Sequence, residues 1–364
     1  LSPPATPGGV WTETILYSFH GDYHVVNEDG TEPSGALVFD KLGNLYGTTV
    51  VGGPGGRGAV FELTAPATPG GTWTEKVIFS FSRDGKQGIF PSVNLVFDEA
   101  GNLYGTTGDG GGGHCIYTYP GCGTVFQLKP PATADGIWTE TTLYVFGIQT
   151  GYGAHPSSGV IYRDGALYGT TRFGGAHSYG TAYRLALKNG VWIAANLYSF
   201  SANRGSFPNG LILDDAGNLY GTLVGGGLGG PNCGGCGVVF ELSPPAVAGK
   251  PWRETTLRAF RGESDGASLL AALIRDDSGN LYGTTAARKI HDKRFANTGL
   301  VFELSPPKDS GGAWTEKVLH NFGGPANGDG GDPQSELIWI NGRLYGTTIL
   351  GGSSNGGTVY SVVP

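Results

Sequence analysis

Methionine is missing from the 364 residues altogether, cysteine is held to four, and Lys, Arg, Asp and Glu together make up only 15% of the chain. A formal net charge of -7 argues against the basic surface that phosphate backbones require, so nucleic acid is not expected as a partner. Long apolar runs are also missing. None approaches the roughly 18 residues of a spanning helix, so no membrane span is expected. No charged or apolar leader stands ahead of Leu1-Ser2-Pro3-Pro4, and a mature exported chain that has shed its signal peptide is the expectation.

What is abundant is glycine, 67 residues, with 22 prolines and no collagen period. The segment Leu-Tyr-Gly-Thr recurs six times, at Leu45, Leu103, Leu167, Leu219, Leu281 and Leu344, spaced by roughly 50 to 65 residues, which marks one supersecondary unit repeated. Each repeat holds four short runs of β-branched and aromatic residues separated by Gly, Pro and Asp, the pattern of strands. A run after proline comes first (Pro33 to Asp40 and its five copies). A polar turn such as Asp98-Glu99-Ala100-Gly101-Asn102 makes it a hairpin with the Leu-Tyr-Gly-Thr run. A glycine-rich connection leads to a third run (Ala59 to Leu63), and a proline-rich loop leads to a fourth that opens on Trp (Trp73 to Phe81). The repeat glycine is expected to mark a close approach of backbone where neighbouring blades crowd.

Six sets of four strands predict an all-β fold, a six-bladed β-propeller of four-stranded blades in one domain over residues 1–364. The blades fall at about 33–81, 91–146, 156–200, 208–260, 269–322 and 333–363. The last set lacks a Trp run of its own, while the chain begins with one, Trp11 to Phe19. Closure by this N-terminal strand (11–19) completing the last blade is therefore expected. No polar caps of the solenoid kind are visible.

Pro33 to Thr49 with Gly52-Gly53, Pro91 to Thr107, and Gly123-Thr-Val-Phe-Gln-Leu128 carry a resemblance. They resemble the tandem repeat of secreted bacterial choice-of-anchor GloVer-repeat proteins, and more loosely the NHL-type propeller blade. The resemblance implies export and often surface attachment, and brings no catalytic residues. The NHL likeness implies that the post-proline strand is innermost.

With that strand innermost, the loops entering it and the loops joining the second strand to the third share one face, and variable loops on a rigid scaffold are where binding chemistry sits. Six of the seven histidines fall in or beside those loops. Residues preceding the axial prolines, Glu32, Phe90, His155, Phe207 and Asp332, would ring the mouth of a channel. Aromatics on the same face, Tyr117, Tyr119, Tyr152, Phe173 and Tyr179, offer stacking surfaces for sugars. Arg288 opens the one basic cluster, Arg288 to Arg294, fit for an anionic ligand.

Two loops share Asn-x-Asp-Gly-x-acid-Pro, at Asn27 to Pro33 and Asn327 to Pro333. Their Asp29, Glu32, Asp329 and Asp332 are the candidates for calcium, the one cofactor this chain suggests. Cys115 with Cys122 and Cys233 with Cys236 read as two local disulfides of an oxidising compartment, with zinc or redox chemistry at Cys-x-x-Cys as the alternative. The leading expectation is a secreted, monomeric, non-enzymatic propeller that binds extracellular carbohydrate or a protein partner. The alternatives are a polysaccharide lyase or glycoside hydrolase using His155 with Glu32 or Asp332, and a structural assembly protein.

Overall fold

The structure, a computed structural model, describes residues 1–364 except 4, 5, 7, 8, 10, 21–27, 92, 93, 113, 114, 116–120, 134, 135, 148–150, 228–234, 248, 263, 264, 287, 291, 292 and 310. For 288–290, 293–297 and 326 it describes the backbone alone. The chain divides into two compact units, Leu1–Val145 and Phe146–Pro364. It is all-β, built of six antiparallel β-propeller blades in sequence order.

The first unit holds two blades. One is β1 (Thr31–Phe39), β2 (Leu45–Val51), β3 (Ala59–Thr64) and β4 (Thr74–Ser80); the other is β5 (Val96–Phe97), β6 (Leu103–Thr107), β7 (Thr124–Lys129) and β8 (Thr139–Val145). The second unit opens with a blade of β9 (Ala154–Pro156), β10 (Ile161–Arg163), β11 (Ala166–Phe173), β12 (Thr181–Lys188) and β13 (Val191–Ser199). Next come β14 (Ser206–Leu213), β15 (Leu219–Gly225), β16 (Val238–Ser243) and β17 (Arg253–Ala259). The fifth blade has β18 (Ile274–Arg275), β19 (Leu281–Thr285), β22 (Leu300–Ser305) and β23 (Thr315–Asn321). A separate hairpin, β20 (Arg288–Ile290) with β21 (Lys293–Asn297), spans the basic cluster. The sixth has three strands, β24 (Ile338–Ile340), β25 (Arg343–Thr348) and β26 (Thr358–Val362).

The first strand is shorter than the sequence predicted in several blades. β5 and β18 keep two residues, β24 keeps three, and the run from Pro156 splits into β9 and β10. Where the strand is continuous, its register slips between Ser34 and Val38 and between Pro208 and Leu211. Proline at its start withholds a ladder donor, and bulges absorb the difference.

The Asp-x-x-Gly-Asn turns are tied to the strand that follows. Asp98 accepts from the Asn102 backbone N–H (2.8 Å), the Asn102 amide (2.7 Å) and the Tyr104 hydroxyl (3.0 Å). Asp40, Asp214 and Asp276 do the same with Asn44 and Tyr46, Asn218 and Tyr220, and Asn280 and Tyr282. In the third and sixth blades two-residue Asp164-Gly165 and Asn341-Gly342 turns replace them, with both residues at positive φ.

The repeat glycine is required by a side chain, not by a neighbouring backbone as expected. A methyl group on Gly47, Gly105 or Gly283 would stand 2.6 Å from the ring tip of Phe61, Phe126 or Phe302 in the third strand of the same blade. That aromatic is in turn met by the Phe ending the preceding Trp run, edge-on for Phe81 on Phe126 (5.3 Å), Phe146 on Tyr183 (5.1 Å), Phe200 on Phe240 (5.0 Å) and Phe322 on Tyr360 (4.9 Å), and tilted for Phe260 on Phe302 (5.2 Å). All of these pairs but Phe146 with Tyr183 fall in the buried clusters between successive blades.

Trp11 to Phe19 joins no ladder; Thr12 bridges only Ser2. Phe19 nevertheless meets Phe61 at 5.0 Å, and with Tyr17 it packs on Leu45, Phe61 and Leu63. This is the contact that each fourth strand makes on the blade after it. In the sixth blade Val359 is 57% exposed, whereas its counterparts Val60, Val125, Ala182, Val239 and Val301 are fully buried. In the first blade Leu37 is 47% exposed, whereas Leu95, Leu211, Leu273 and Leu337 are buried.

Candidate functional site

One backbone feature marks the expected mouth in every repeat. Glu32, Phe90, His155, Phe207, Ser268 and Asp332 all stand at φ between 55° and 59°. Left-handed backbone costs a non-glycine residue about 1–3 kcal/mol, and a following proline disfavours helical backbone further. Two hydrogen bonds hold such residues in place. The Phe90 N–H donates to the Arg57 carbonyl and its carbonyl accepts from Gly108, each at 3.1 Å; Asp332 does the same with Thr298 (2.7 Å) and Ile349 (3.2 Å), and Ser268 with Cys236 (2.8 Å) and Ala286 (3.0 Å). Phe207 donates to Tyr179 (3.2 Å). Each clasp runs from the second-to-third loop of one blade to the first strand of the next. The sequence reading found five of these positions by their prolines and missed Ser268, because Leu269 replaces proline there. The Gly-x that precedes each one, Gly266-Ala267 in this case, was the available signal.

In the second unit this geometry brings three expected site residues together. The His155 ring meets Phe173 edge-on at 5.7 Å, and Phe173 meets Phe207 at 5.5 Å. The Arg172 guanidinium lies over both rings, 5.7 Å from Phe173 and 5.5 Å from Phe207. Arg172, which sequence reasoning did not single out, is exposed, while His155, Phe173 and Phe207 are half-buried. The adjoining loops carry Tyr152, half-buried, whose carbonyl accepts from Thr181, and Tyr179, exposed at the loop tip. The first unit repeats the motif once: Arg57 lies over Phe90 at 5.7 Å. A ring face capped by a guanidinium gives an apolar platform beside outward-facing N–H donors.

The aspartates of the acidic loops are held by local donors. Asp29 accepts from the Tyr17 hydroxyl (2.9 Å), the His20 backbone (2.9 Å) and His20 Nδ1 (3.0 Å); Asp329 takes the Gly323 and Gly330 N–H groups and His320 Nε2 (3.0 Å). Burial pushes both carboxyls up, but these hydrogen bonds outweigh it and hold them below the usual range. Asp265 repeats the clasp with Arg258 and the Arg261 N–H. Among the described residues no group of three or more His, Cys, Asp or Glu side chains gathers as a metal cage. Glu32 belongs to the first unit; His155 and Asp332, the latter accepting from Gln334 (3.0 Å), belong to the second.

Cys115 and Cys122 form the expected disulfide, with Cα atoms 5.4 Å apart. Cys236 is also disulfide-bonded, and Cys233 lies outside the described residues. So do Tyr117, Tyr119 and His114; the side chain of Arg288, in β20, is likewise outside the description. Two short patterns have no supporting context. Gly352-Ser353-Ser354-Asn355-Gly356 reads as Gly-x-Ser-x-Gly but sits in the exposed β25–β26 turn, with no helix after it. His20 and His24 have His-x-x-x-His spacing, yet His20 stands outside any helix and His24 outside the described residues.

The repeat, its hairpin turns and its glycine agree with a family model. The Gloeobacter/Verrucomicrobia repeat matches residues 5–230, more than half of the chain. The chain belongs to the Gloeobacter/Verrucomicrobia repeat family. No protein of curated function matches it. Solved structures similar to it include a gluconolactonase from Xanthomonas campestris (14% identity, TM-score 0.48, 93% of this chain and 88% of that one). An ulvan lyase, a polysaccharide lyase, is similar at 12% identity and TM-score 0.48, over 93% of this chain and 83% of that one. A Hadza microbial sialidase follows at 16% identity and TM-score 0.49, over 91% of this chain; the chain spans 65% of its length. Likenesses this loose assign neither substrate nor reaction.

Proposed function

We propose that this Gloeobacter/Verrucomicrobia repeat protein is an exported, non-enzymatic propeller that binds extracellular carbohydrate on the face carrying Arg172, Phe173, Phe207 and His155. The observation that carries this reading is the guanidinium laid over two half-buried aromatic rings by strained backbone. Sugar C–H faces stack on such rings, and guanidinium N–H groups meet hydroxyls or, better, a carboxylate in a bidentate pair. Acidic polysaccharides are therefore the preferred ligands. The Cys115–Cys122 disulfide supports an oxidising compartment. Among the described residues no helix is long and apolar enough to cross a membrane.

The N-terminal segment completes the scaffold in this reading, with Trp11 to Phe19 serving as fourth strand of the last blade. Its support is the Phe19–Phe61 contact and the exposure of Val359 and Leu37.

Binding to an array of neutral and uronate-containing glycans tests the function. Retention of acidic glycans by the protein, lost in Arg172→Ala and Phe207→Ala, is the expected result. Equal retention by both variants would remove the site. Turnover of a retained polysaccharide that disappears in His155→Ala would replace the binder with the lyase or hydrolase.

A further inference from the structure

One outer strand differs in kind from the others. The fourth strands β4, β8, β17 and β23 carry charge: Glu75 and Lys76, Glu140, Arg253 with Glu254 and Arg258, and Glu316 with Lys317. Charges on an edge strand deter pairing with another chain. β13 reads Val-Trp-Ile-Ala-Ala-Asn-Leu-Tyr-Ser, without a charge or a proline, and at nine residues it is longer than those four. It is also entered differently. The proline-rich loop is replaced by Asn189-Gly190, both at positive φ (52° and 80°), so β12 and β13 run as one extended hairpin from Lys188 opposite Val191.

The edge is apolar as well as uncharged. β13 is the last strand of its sheet, and Val191 is 63% and Ile193 49% exposed, with Ala195 exposed after them. Thr72, Thr74 and Lys76 occupy these positions in the first blade. Val191, Ile193 and Ala195 follow one another on one side of the strand, so they form a continuous row rather than scattered exposure.

We infer that β13 pairs antiparallel with β13 of a second copy of this chain, joining two third blades into one continuous sheet. The strand is self-complementary about Ile193. A two-fold axis there sets Ile193 against the partner's Ile193, Val191 against the partner's Ala195, and Trp192 against the partner's Ala194. Val191 and Trp192 thus meet alanines, Ile193 meets its own copy on the axis, and no like charges face each other. An isologous interface requires such a match of a patch with itself. An unrelated charged peptide would find nothing on this row to fix its register. The inference departs from the monomer that the sequence suggested, and it stands apart from the carbohydrate reading.

Light scattering coupled to size exclusion, on the full chain at high micromolar concentration, tests it. The expected mass is twice 37.7 kDa, and Ile193→Lys and Val191→Glu are each expected to weaken the dimer about a hundredfold or more. Both positions are exposed, so circular dichroism and thermal unfolding of the monomeric variants should match those of the native chain below its dissociation constant. Hydrogen exchange on the native protein gives a readout free of substitution, with Ala194 and Asn196 amides slowing as concentration rises. A monomer at all concentrations, or a dimer indifferent to both substitutions, would overturn the inference.

Discussion

Single side chains set the tolerances of this repeat. Gly105 faces the ring tip of Phe126 and the side chain of Leu95, so Gly105→Ala overpacks a buried site and is expected to cost about 1–3 kcal/mol in chemical denaturation. Gly356→Ala, with nothing within 4 Å, should be silent. A second residue ties stability to pH. Burial, with repulsion from the Asp29 carboxylate, pushes Glu75 from 4.5 up to about 7, and its Oε1 has no hydrogen-bond partner among the described residues. The folded chain therefore binds more protons than the unfolded chain between those values, and stability falls as pH rises through that window. Glu75→Gln should be more stable than the native protein above pH 7, with the difference closing towards 4.5, as urea melts across the range would read. The sequence displayed the repeat glycine and the Trp-Thr-Glu glutamate plainly. It did not display what each meets, because the ring and the carboxylate that act on them lie elsewhere in the chain.

At the level of elements, turns were the most legible feature and first strands the least. Asp-x-x-Gly-Asn encodes its own closure, since the Asp, the Asn and the Tyr that follows are within six residues of one another. Asp98→Ala strands four donors at once, the Ala100 N–H among them, and is expected to cost about 1–3 kcal/mol. Asp98→Asn, which keeps an acceptor, should cost less; the comparison is read by thermal unfolding. First strands looked continuous from proline to aspartate but are bulged or cut short, since their alternation survives in sequence where their ladder does not. The left-handed clasp before Pro33, Pro91, Pro156, Pro208 and Pro333 was legible as a position and not as a conformation. The Arg172 stack was legible only in its aromatic members: Phe173 and Phe207 were placed on one face, but the guanidinium over both rings needs Arg172 and Phe173 from one blade and Phe207 from the next.

At the scale of the whole molecule, the segment ahead of the first blade is part of that blade's packing. The segment from Trp11 to Phe19 gives the first blade the aromatic contact that every later blade receives from its predecessor. Phe19→Ala is expected to lower stability by about 2 kcal/mol, less than a fully buried phenylalanine because Phe19 is half-buried. Removal of residues 1–20 should lower the thermal midpoint further and expose more apolar surface to dye. An unchanged midpoint would detach the segment from the scaffold. The same scaffold presents the strained, aromatic face to which a ligand is assigned. Isothermal titration with a uronate-containing oligosaccharide, run on the native chain and on Arg172→Ala, tests that assignment most directly. Saturable heat on the native chain, lost with the guanidinium, is the expected result; no heat on either protein, or equal heat on both, would contradict a carbohydrate-binding face built on Arg172.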